Sequence, residues 1–405
     1  MAACPRTALA RPRPPQLLVR ACWQSFGTGA VAQVAGLLTM LQEELPGVGL
    51  TLWANELQQG MEAWLRGNYP QVTIITGTTG HDGQPDQPAL QQAWRECDFL
   101  LHGPAGSVVA RGHLEAWRKH TRKPFGLYGV TFREMNDKLA ALLRAAAFVF
   151  LGDGPSRAAV AKLDLGAAKL GFVPNPAFLM PQRDFATADQ WLADHALTAR
   201  KFICVVPKLR FTPYWEIYHR EPKYAEIAHA RQNQQFQESD HQLLVDALIR
   251  CLQVPDLKIL LCPEMPYAVE VGRQSILAKL PEPLQSRCLL PAAPWLPDVT
   301  AALFARAAGV LSFELISAVL ATAAGTPALH VRLPNDTNQG QMWCDVGLKD
   351  WIVERDQATP AALAETFLNL LHPAPESTAQ LTALHEFIAK CQHDNSPILR
   401  GALGI

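Results

Sequence analysis

The stretch GVLSFELISAVLATAAGTPALHVRLPNDT, residues 309–337, decides the fold class. It starts with the apolar run GVLSF (309–313), continues through a helical segment that stops at Gly325, and returns to the apolar run PALHV (327–331). Short, continuous apolar runs are typical of parallel strands that are covered on both faces, and a helix joining two of them forms a βαβ unit. The stretch therefore predicts an α/β protein with a parallel sheet.

The same alternation of short apolar runs and helical patterns extends over most of the chain. A chain of 405 residues is too long for one ordinary core. We therefore predict two doubly wound Rossmann-like domains that face a central cleft. The predicted strands lie at 16–23, 48–53, 72–76, 98–103, 125–130, 147–152, 201–207, 257–262, 309–313 and 327–331.

The proline-rich, polar stretch PNPAFLMPQRDFATAD (174–189) separates the two sets of strands. After about residue 360 the pattern is purely helical. The predicted organisation is a disordered leader (1–15), an N-terminal α/β domain (16–180), a linker (181–200), a C-terminal α/β domain (201–360) and C-terminal helices (361–405).

Composition excludes several classes of protein. The formal net charge is −1 and no stripe of Lys and Arg occurs, which argues against a nucleic-acid partner. No apolar run is long enough for a transmembrane segment. The nine cysteines are isolated, as in proteins of a reducing compartment, so we predict a cytoplasmic location. No His/Asp cluster has the spacing of metal ligands, and we predict neither a metal nor another cofactor.

In doubly wound folds, ligands bind beyond the carboxyl ends of the strands. In the first domain, a turn formed by Gly27, Thr28 and Gly29 precedes a helix. Backbone amides at such a helix start can bind a phosphate or carboxylate group of a ligand. The alternative is that these residues only make a tight βα turn. His102 ends the fourth strand and is a candidate acid or base, or else a turn or core histidine.

In the second domain, Lys208 and Arg210 stand two residues apart after a strand, so their side chains can converge on one anion. Tyr214 and Trp215 follow, and two aromatic rings there form a platform for a sugar ring. The alternative is a solvated basic edge beside two aromatics that close a hydrophobic patch.

Further candidates follow the later strands of this domain. Three residues are candidate acids and bases. His241 lies at a helix start, Glu264 follows a strand, and Glu314 begins the helix after 309–313. For Glu314 the alternative is a helix-capping role, which the helix dipole favours. The polar loop after 327–331 adds the candidate ligand-binding residues Arg332, Asp336, Thr337 and Gln341.

From about residue 16 to 355 the sequence resembles the polysaccharide pyruvyl transferase family, and within it a bacterial subgroup. The resemblance is carried by CWQ…G after the first strand, CDFLLHG, KPFGLYGVTF, PKLRFTPYW, LLCPEM, ELISA…GTPAL and DTNQGQMWCDVGLKDWI. It implies a glycosyltransferase-B-type (GT-B) fold with the acceptor on the N-terminal side and the donor on the C-terminal side. It also implies transfer of a pyruvyl group from phosphoenolpyruvate to a sugar during polysaccharide biosynthesis for the cell envelope.

The chain departs from the family pattern at three positions. Ala30 stands where the family has an aspartate after strand one, Ile316 where it has a histidine, and Asn175 where an aspartate often precedes PAF. Three hypotheses stay open. The first is a pyruvyl transferase acting on a glycan or glycolipid precursor, with Lys208, Arg210 and Arg332 as the cation cradle. The second is a glycosyltransferase with a nucleotide-sugar donor and Glu314 on its ribose. The third is a degenerate paralogue that binds a glycan without catalysis.

Overall fold

Two parallel β-sheets form the framework of the protein. The computed structural model describes residues 13–371 and 375–405, so most of the predicted leader lies outside the described residues. The first sheet has the order β3-β2-β1-β4-β5-β6-β7 and the second the order β10-β9-β8-β11-β12-β13. The strands are β1 Gln16–Arg20, β2 Gly49–Ala54, β3 Thr73–Thr76, β4 Phe99–His102, β5 Phe125–Val130, β6 Phe148–Leu151, β7 Lys169–Phe172, β8 Phe202–Val206, β9 Lys258–Leu261, β10 Cys288–Leu289, β11 Gly309–Ser312, β12 Ala328–Arg332 and β13 Ile352–Glu354.

Helices connect the strands and cover both faces of each sheet. Around the first sheet lie α1 Thr28–Glu44, α2 Gln59–Asn68, α3 Pro88–Glu96, α4 Arg111–Thr121, α5 Asp137–Arg144 and α6 Gly154–Ala161, followed by the 3-10 turn Pro176–Leu179 and α7 Phe185–Asp194. The remaining helices are α8 Tyr214–Ile217, α9 Tyr224–Cys251, α10 Pro266–Ser275, α11 Glu282–Gln285, α12 Pro297–Arg306, α13 Leu315–Ala323, α14 Met342–Asp345, α15 Pro360–Leu371 and α16 Pro375–Leu403. Short 3-10 turns lie at Leu277–Lys279, Asn338–Gln341, Lys349–Trp351 and Arg355–Gln357.

The central strands have no solvent-facing side, which explains their continuous apolar sequences. Every residue of β5, β8 and β11 is buried. The predicted α/β class with two doubly wound domains is confirmed. Three short edge strands, β7, β10 and β13, were not predicted, because an edge strand is partly exposed and needs no continuous apolar run.

The two C-terminal helices pack against different sheets. Helix α15 lies against α9 beside the second sheet, whereas α16 packs on β6 and β7 of the first. The side chain of Asn395 in α16 donates a hydrogen bond to the carbonyl oxygen of Phe172 at 2.8 Å. Helix α16 therefore returns the chain to the first domain. None of the helices in the described part of the chain has the length and apolar character needed to cross a membrane.

The strand order places one switch point in each sheet. In the first sheet the chain reverses direction of winding between the neighbours β1 and β4, and in the second between β8 and β11. Ligands of doubly wound proteins bind in the crevice at such points, beyond the carboxyl ends of the strands. The residues that follow β1, β4, β8 and β11 are therefore the first candidates for a ligand-binding site.

Candidate active site

A charged cluster occupies the switch point of the second sheet. Lys208 comes two residues after β8 and Glu314 two residues after β11, and these two strands are neighbours. The Lys208 Nζ lies 3.6 Å from the Glu314 Oε2 and 2.8 Å from the Oδ1 of Asp336, which follows β12. The three side chains are only 16%, 17% and 14% exposed. Polar side chains that follow three neighbouring strands thus meet at this point.

Ser312 sets the position of Glu314. The Ser312 hydroxyl donates to the Glu314 carbonyl oxygen at 2.7 Å and accepts from the Glu314 amide at 2.9 Å. These bonds turn the chain from β11 into α13. Glu314 is the N-cap residue of α13, but its side chain accepts no hydrogen bond from the helix. The carboxylate is therefore not used as a cap and points instead towards Lys208.

Burial and pairing act in opposite directions on this cluster. Burial alone would lower the pKa of Lys208, but Asp336 and Glu314 outweigh it and raise the pKa above its ordinary value. Burial alone would raise the pKa of Asp336, but the charge of Lys208 outweighs burial and holds this pKa below its ordinary value. For Glu314, burial raises the pKa despite the nearby Lys208. Lys208 and Asp336 therefore form the ion pair, and Glu314 is the carboxylate that binds a proton more readily.

We call the cavity at this cluster the C-side chamber. It has a volume of about 480 Å³ and is lined by Lys208, Glu314, Asp336, His330 and the first residues of α13. The Nδ1 of His330 lies 3.2 Å from the carbonyl oxygen of Ser312, and burial lowers the pKa of this histidine to about 4. His330 is therefore neutral. It lies in β12 itself, just before the polar loop that we predicted to bind a ligand.

A second cavity of about 480 Å³, the N-side chamber, adjoins the first. Gly106, Tyr214 and Glu226 line both chambers. The Tyr214 hydroxyl donates to the Oε1 of Gln24 at 2.6 Å, so this bond links the two domains where the chambers meet. Sequence reasoning missed both Glu226, which lies in the first turn of α9 and follows no strand, and Gln24, which directly follows the first predicted strand but was not considered.

Each of the three predicted cations has a carboxylate partner within the chain. Arg210 donates from Nε at 2.7 Å and from Nη2 at 2.9 Å to the two oxygens of one carboxylate. This bidentate pair neutralises the charge of Arg210, although it uses only two of the five N–H groups of the guanidinium. The pairs are Arg210–Asp240, Arg332–Glu354 and Lys208–Asp336.

The turn Gly27–Gly29 is filled by groups from the second domain. The Thr28 amide donates to the Glu264 carbonyl oxygen at 3.1 Å, and a Cβ on Gly29 would lie 2.7 Å from the Glu264 Oε2. The Ser317 hydroxyl donates to the other carboxylate oxygen of Glu264 at 2.5 Å. A carboxyl group of the protein thus occupies the N-terminus of α1, for which an anion site and a tight βα turn were the two interpretations. The turn and Glu264 join the two domains.

Glu264 makes stability depend on pH. Burial, together with the charge of Glu314, raises the pKa of Glu264 to about 8. The folded state then holds a proton that the unfolded state releases near its ordinary pKa, so stability falls as pH rises towards 8. One such proton changes the unfolding free energy by about 1.4 kcal/mol per pH unit. We expect wild-type protein to lose roughly 2 kcal/mol between pH 6 and pH 8 through this group.

Urea unfolding at several pH values tests this expectation. Glu264→Gln should remove this group's contribution to the slope of unfolding free energy against pH. Glu365→Gln, on the exposed face of α15, should leave that slope unchanged. Equal slopes in wild-type protein and Glu264→Gln would show that Glu264 is already ionised in the folded protein.

Several predicted residues are held away from both chambers. His102 is fully buried, with its Nε2 2.7 Å from the carbonyl oxygen of Val109, and burial lowers its pKa to about 4. His241 is buried edge-on against Phe313. The predicted residues that line a chamber are Lys208, Arg210, Tyr214, Glu314, Asp336 and Thr337. Those that line neither are His102, His241, Glu264, Trp215, Arg332, Gln341, Gly27, Thr28 and Gly29.

No protein-family model and no curated protein matches the sequence. Solved structures do match over nearly the whole chain. The crystal structure of Anabaena Alr3699/HepE in complex with UDP-glucose is 12% identical, covers 96% of this chain and 100% of its own, and has a TM-score of 0.57. A putative UDP-N-acetylglucosamine 2-epimerase from Listeria monocytogenes is 11% identical with 96% of both chains covered and a TM-score of 0.62. A glycosyltransferase from Rickettsia africae is 10% identical, covers 97% of this chain and 99% of its own, and scores 0.60.

These similarities establish the fold. Two Rossmann-like domains with parallel sheets, facing each other across a cleft, are the GT-B architecture of these structures. The matches include transferases and an epimerase, so the architecture alone does not select a reaction.

Proposed function

We propose that the protein is a glycosyltransferase that takes a nucleotide sugar in the C-side chamber and an acceptor in the N-side chamber. The observation that carries the proposal is the placement of Glu314, Asp336 and Lys208 at the N-terminus of α13, in a chamber that shares three lining residues with a second one of equal size. Similar structures contain UDP-glucose or a UDP-fluoroglucose, which supports a nucleotide-sugar donor.

The cluster offers each part of such a donor a suitable group. Glu314 is an acceptor for the hydroxyls of a ribose or sugar. The first amides of α13, at the positive end of the helix dipole, favour a diphosphate. Lys208, poised between two carboxylates, can turn to the diphosphate as negative charge develops on the leaving group. Stabilisation of that charge is the largest contribution expected in glycosyl transfer.

Pyruvyl transfer is the second candidate. The blocks PKLRFTPYW, ELISA and DTNQG, which carry the family resemblance, do meet around the C-side chamber. Both donors are anions, so the pairing of Lys208, Arg210 and Arg332 with carboxylates does not separate them. Ile316, however, lines the chamber where the family has a histidine, so the imidazole that the resemblance implies for the phosphoenolpyruvate donor is absent. This difference favours the nucleotide-sugar donor. In either case we propose a cytoplasmic role in the synthesis of an envelope glycan or glycolipid.

A thermal-shift screen separates the candidates. UDP-, GDP-, CMP- and dTDP-sugars and phosphoenolpyruvate are each added to wild-type protein. A ligand at about a hundred times its dissociation constant adds roughly 2.7 kcal/mol to the stability of the folded state, which shifts the melting temperature by several degrees. We expect such a shift with a nucleotide sugar and its loss in Glu314→Gln.

Glu365→Gln, which alters an exposed carboxylate on α15, is the matched control and should keep the full shift. A melting-temperature shift with phosphoenolpyruvate alone would contradict the glycosyltransferase and support a pyruvyl transferase. A shift with neither donor would leave a glycan-binding protein without catalysis.

A further inference from the structure

The N-side chamber carries no uncompensated charge among the described residues that line it. Its two charged side chains are paired with each other: Arg220 donates to both carboxylate oxygens of Glu226, each at 2.7 Å. Burial raises the pKa of Cys22 to about 12, so the thiol in the wall is neutral. An anionic ligand would therefore find no free counter-ion in this chamber.

The chamber nevertheless has free hydrogen-bonding capacity. Gln33 lies on the face of α1 that lines it, and within residues 13–371 and 375–405 its carboxamide makes no hydrogen bond. An amide has two donor hydrogens and an acceptor oxygen, which matches a pair of sugar hydroxyls. Across the chamber, the Oε1 of Gln24 is used by Tyr214. Gln33 is thus the polar group with the most unused bonding capacity.

Aromatic side chains form much of the remaining wall. Trp23, Tyr214 and Tyr218 all line the chamber. The indole of Trp23 is held in place by the buried guanidinium of Arg20, 4.4 Å from its ring centroid, and donates from Nε1 to the carbonyl oxygen of Pro104 at 3.0 Å. An immobilised aromatic wall loses little conformational entropy when a ligand binds against it.

From these features we propose that the acceptor is an uncharged sugar unit, bound in the N-side chamber against Trp23 with Gln33 hydrogen-bonded to its hydroxyls. This inference rests on the proposed glycosyl transfer, and it adds the chemical class of the acceptor and a residue that selects it. Uronic acids are disfavoured, because the chamber offers no unpaired cation to their carboxylate.

Saturation-transfer difference NMR on the full chain tests the proposal. The probes are the methyl glycosides of glucose, galactose, mannose and N-acetylglucosamine, with glucuronate and galacturonate as charged counterparts. We expect transfer to at least one neutral glycoside, and titration should give a dissociation constant at least tenfold lower than that of the matching uronate. Gln33→Leu should raise the dissociation constant of the neutral glycoside about 3- to 10-fold, as expected for the loss of one or two uncharged hydrogen bonds.

Gln92→Leu, on the exposed face of α3, is the matched control and should bind like wild-type protein. Both variants are first shown to keep the wild-type melting temperature within a few degrees. Equal binding of uronates, unchanged binding by Gln33→Leu, or no transfer to any neutral glycoside would each overturn the proposal. Repeating the titration in Glu314→Gln separates the two chambers. If Glu314→Gln still binds the glycoside but no longer binds the nucleotide sugar, both the acceptor chamber and the donor chamber are supported. If wild-type protein binds the glycoside but no donor, only the proposed glycosyltransferase activity is contradicted.

Discussion

Replacing Lys208 by Met is expected to lower the unfolding free energy at pH 8 by about 3–5 kcal/mol, the range for removing one partner of a buried ion pair. The substitution leaves Asp336 and Glu314, both less than a fifth exposed, without their cation. The pKa values of both carboxyl groups then rise in the folded protein. The loss should therefore shrink as pH falls towards 5, because protonation removes the unpaired charges.

Urea unfolding at pH 5 and pH 8 measures this effect, and two variants calibrate it. Lys208→Met combined with Asp336→Asn should recover part of the loss at pH 8, since one buried charge is gone. Lys279→Met breaks the exposed pair between Lys279 and Glu238, whose side chains are 46% and 76% exposed. Because solvent screens such a pair, the unfolding free energy should stay close to that of wild-type protein. The same loss for Lys208→Met at both pH values would mean that the carboxylates do not depend on this lysine.

Replacing Gly36 by Ala is expected to destabilise the first domain by about 3 kcal/mol or more, at the upper end of what overpacking produces. Gly36 lies in the middle of α1, where the helix crosses the 3-10 turn Pro176–Leu179. A Cβ there would lie 1.7 Å from the carbonyl oxygen of Pro176 and 2.6 Å from its carbonyl carbon. Backbone atoms cannot rotate aside, so the helix and the turn would have to separate.

The control for this prediction is Gly67→Ala. Gly67 lies near the end of α2, is exposed, and has no atom within 4 Å of the position that a Cβ would take. Alanine should stabilise this helix by up to about 1 kcal/mol. Urea midpoints of the two variants should therefore move in opposite directions. A Gly36→Ala midpoint equal to that of wild-type protein would show that α1 and the turn are not in close contact.

Local patterns in the sequence were sufficient to predict the α/β architecture. The apolar run at 125–130 coincides with β5, because a strand buried on both faces is apolar at every position. Lys208 and Glu314 were both singled out because each stands directly after a predicted strand. Their contact depends on β8 and β11 being neighbours in the sheet, which the sequence does not reveal.

Only the tertiary structure decided which of these groups have partners. Asp240, which pairs with Arg210, lies 30 residues away on α9, and Glu264 reaches the turn at Gly29 from the other domain. Hydrophobic periodicity is a property of neighbouring residues, so it reveals strands and helices. Whether a cation is free for a ligand depends on the distance to carboxylates that are remote in the sequence, and that distance is set by how the two domains pack.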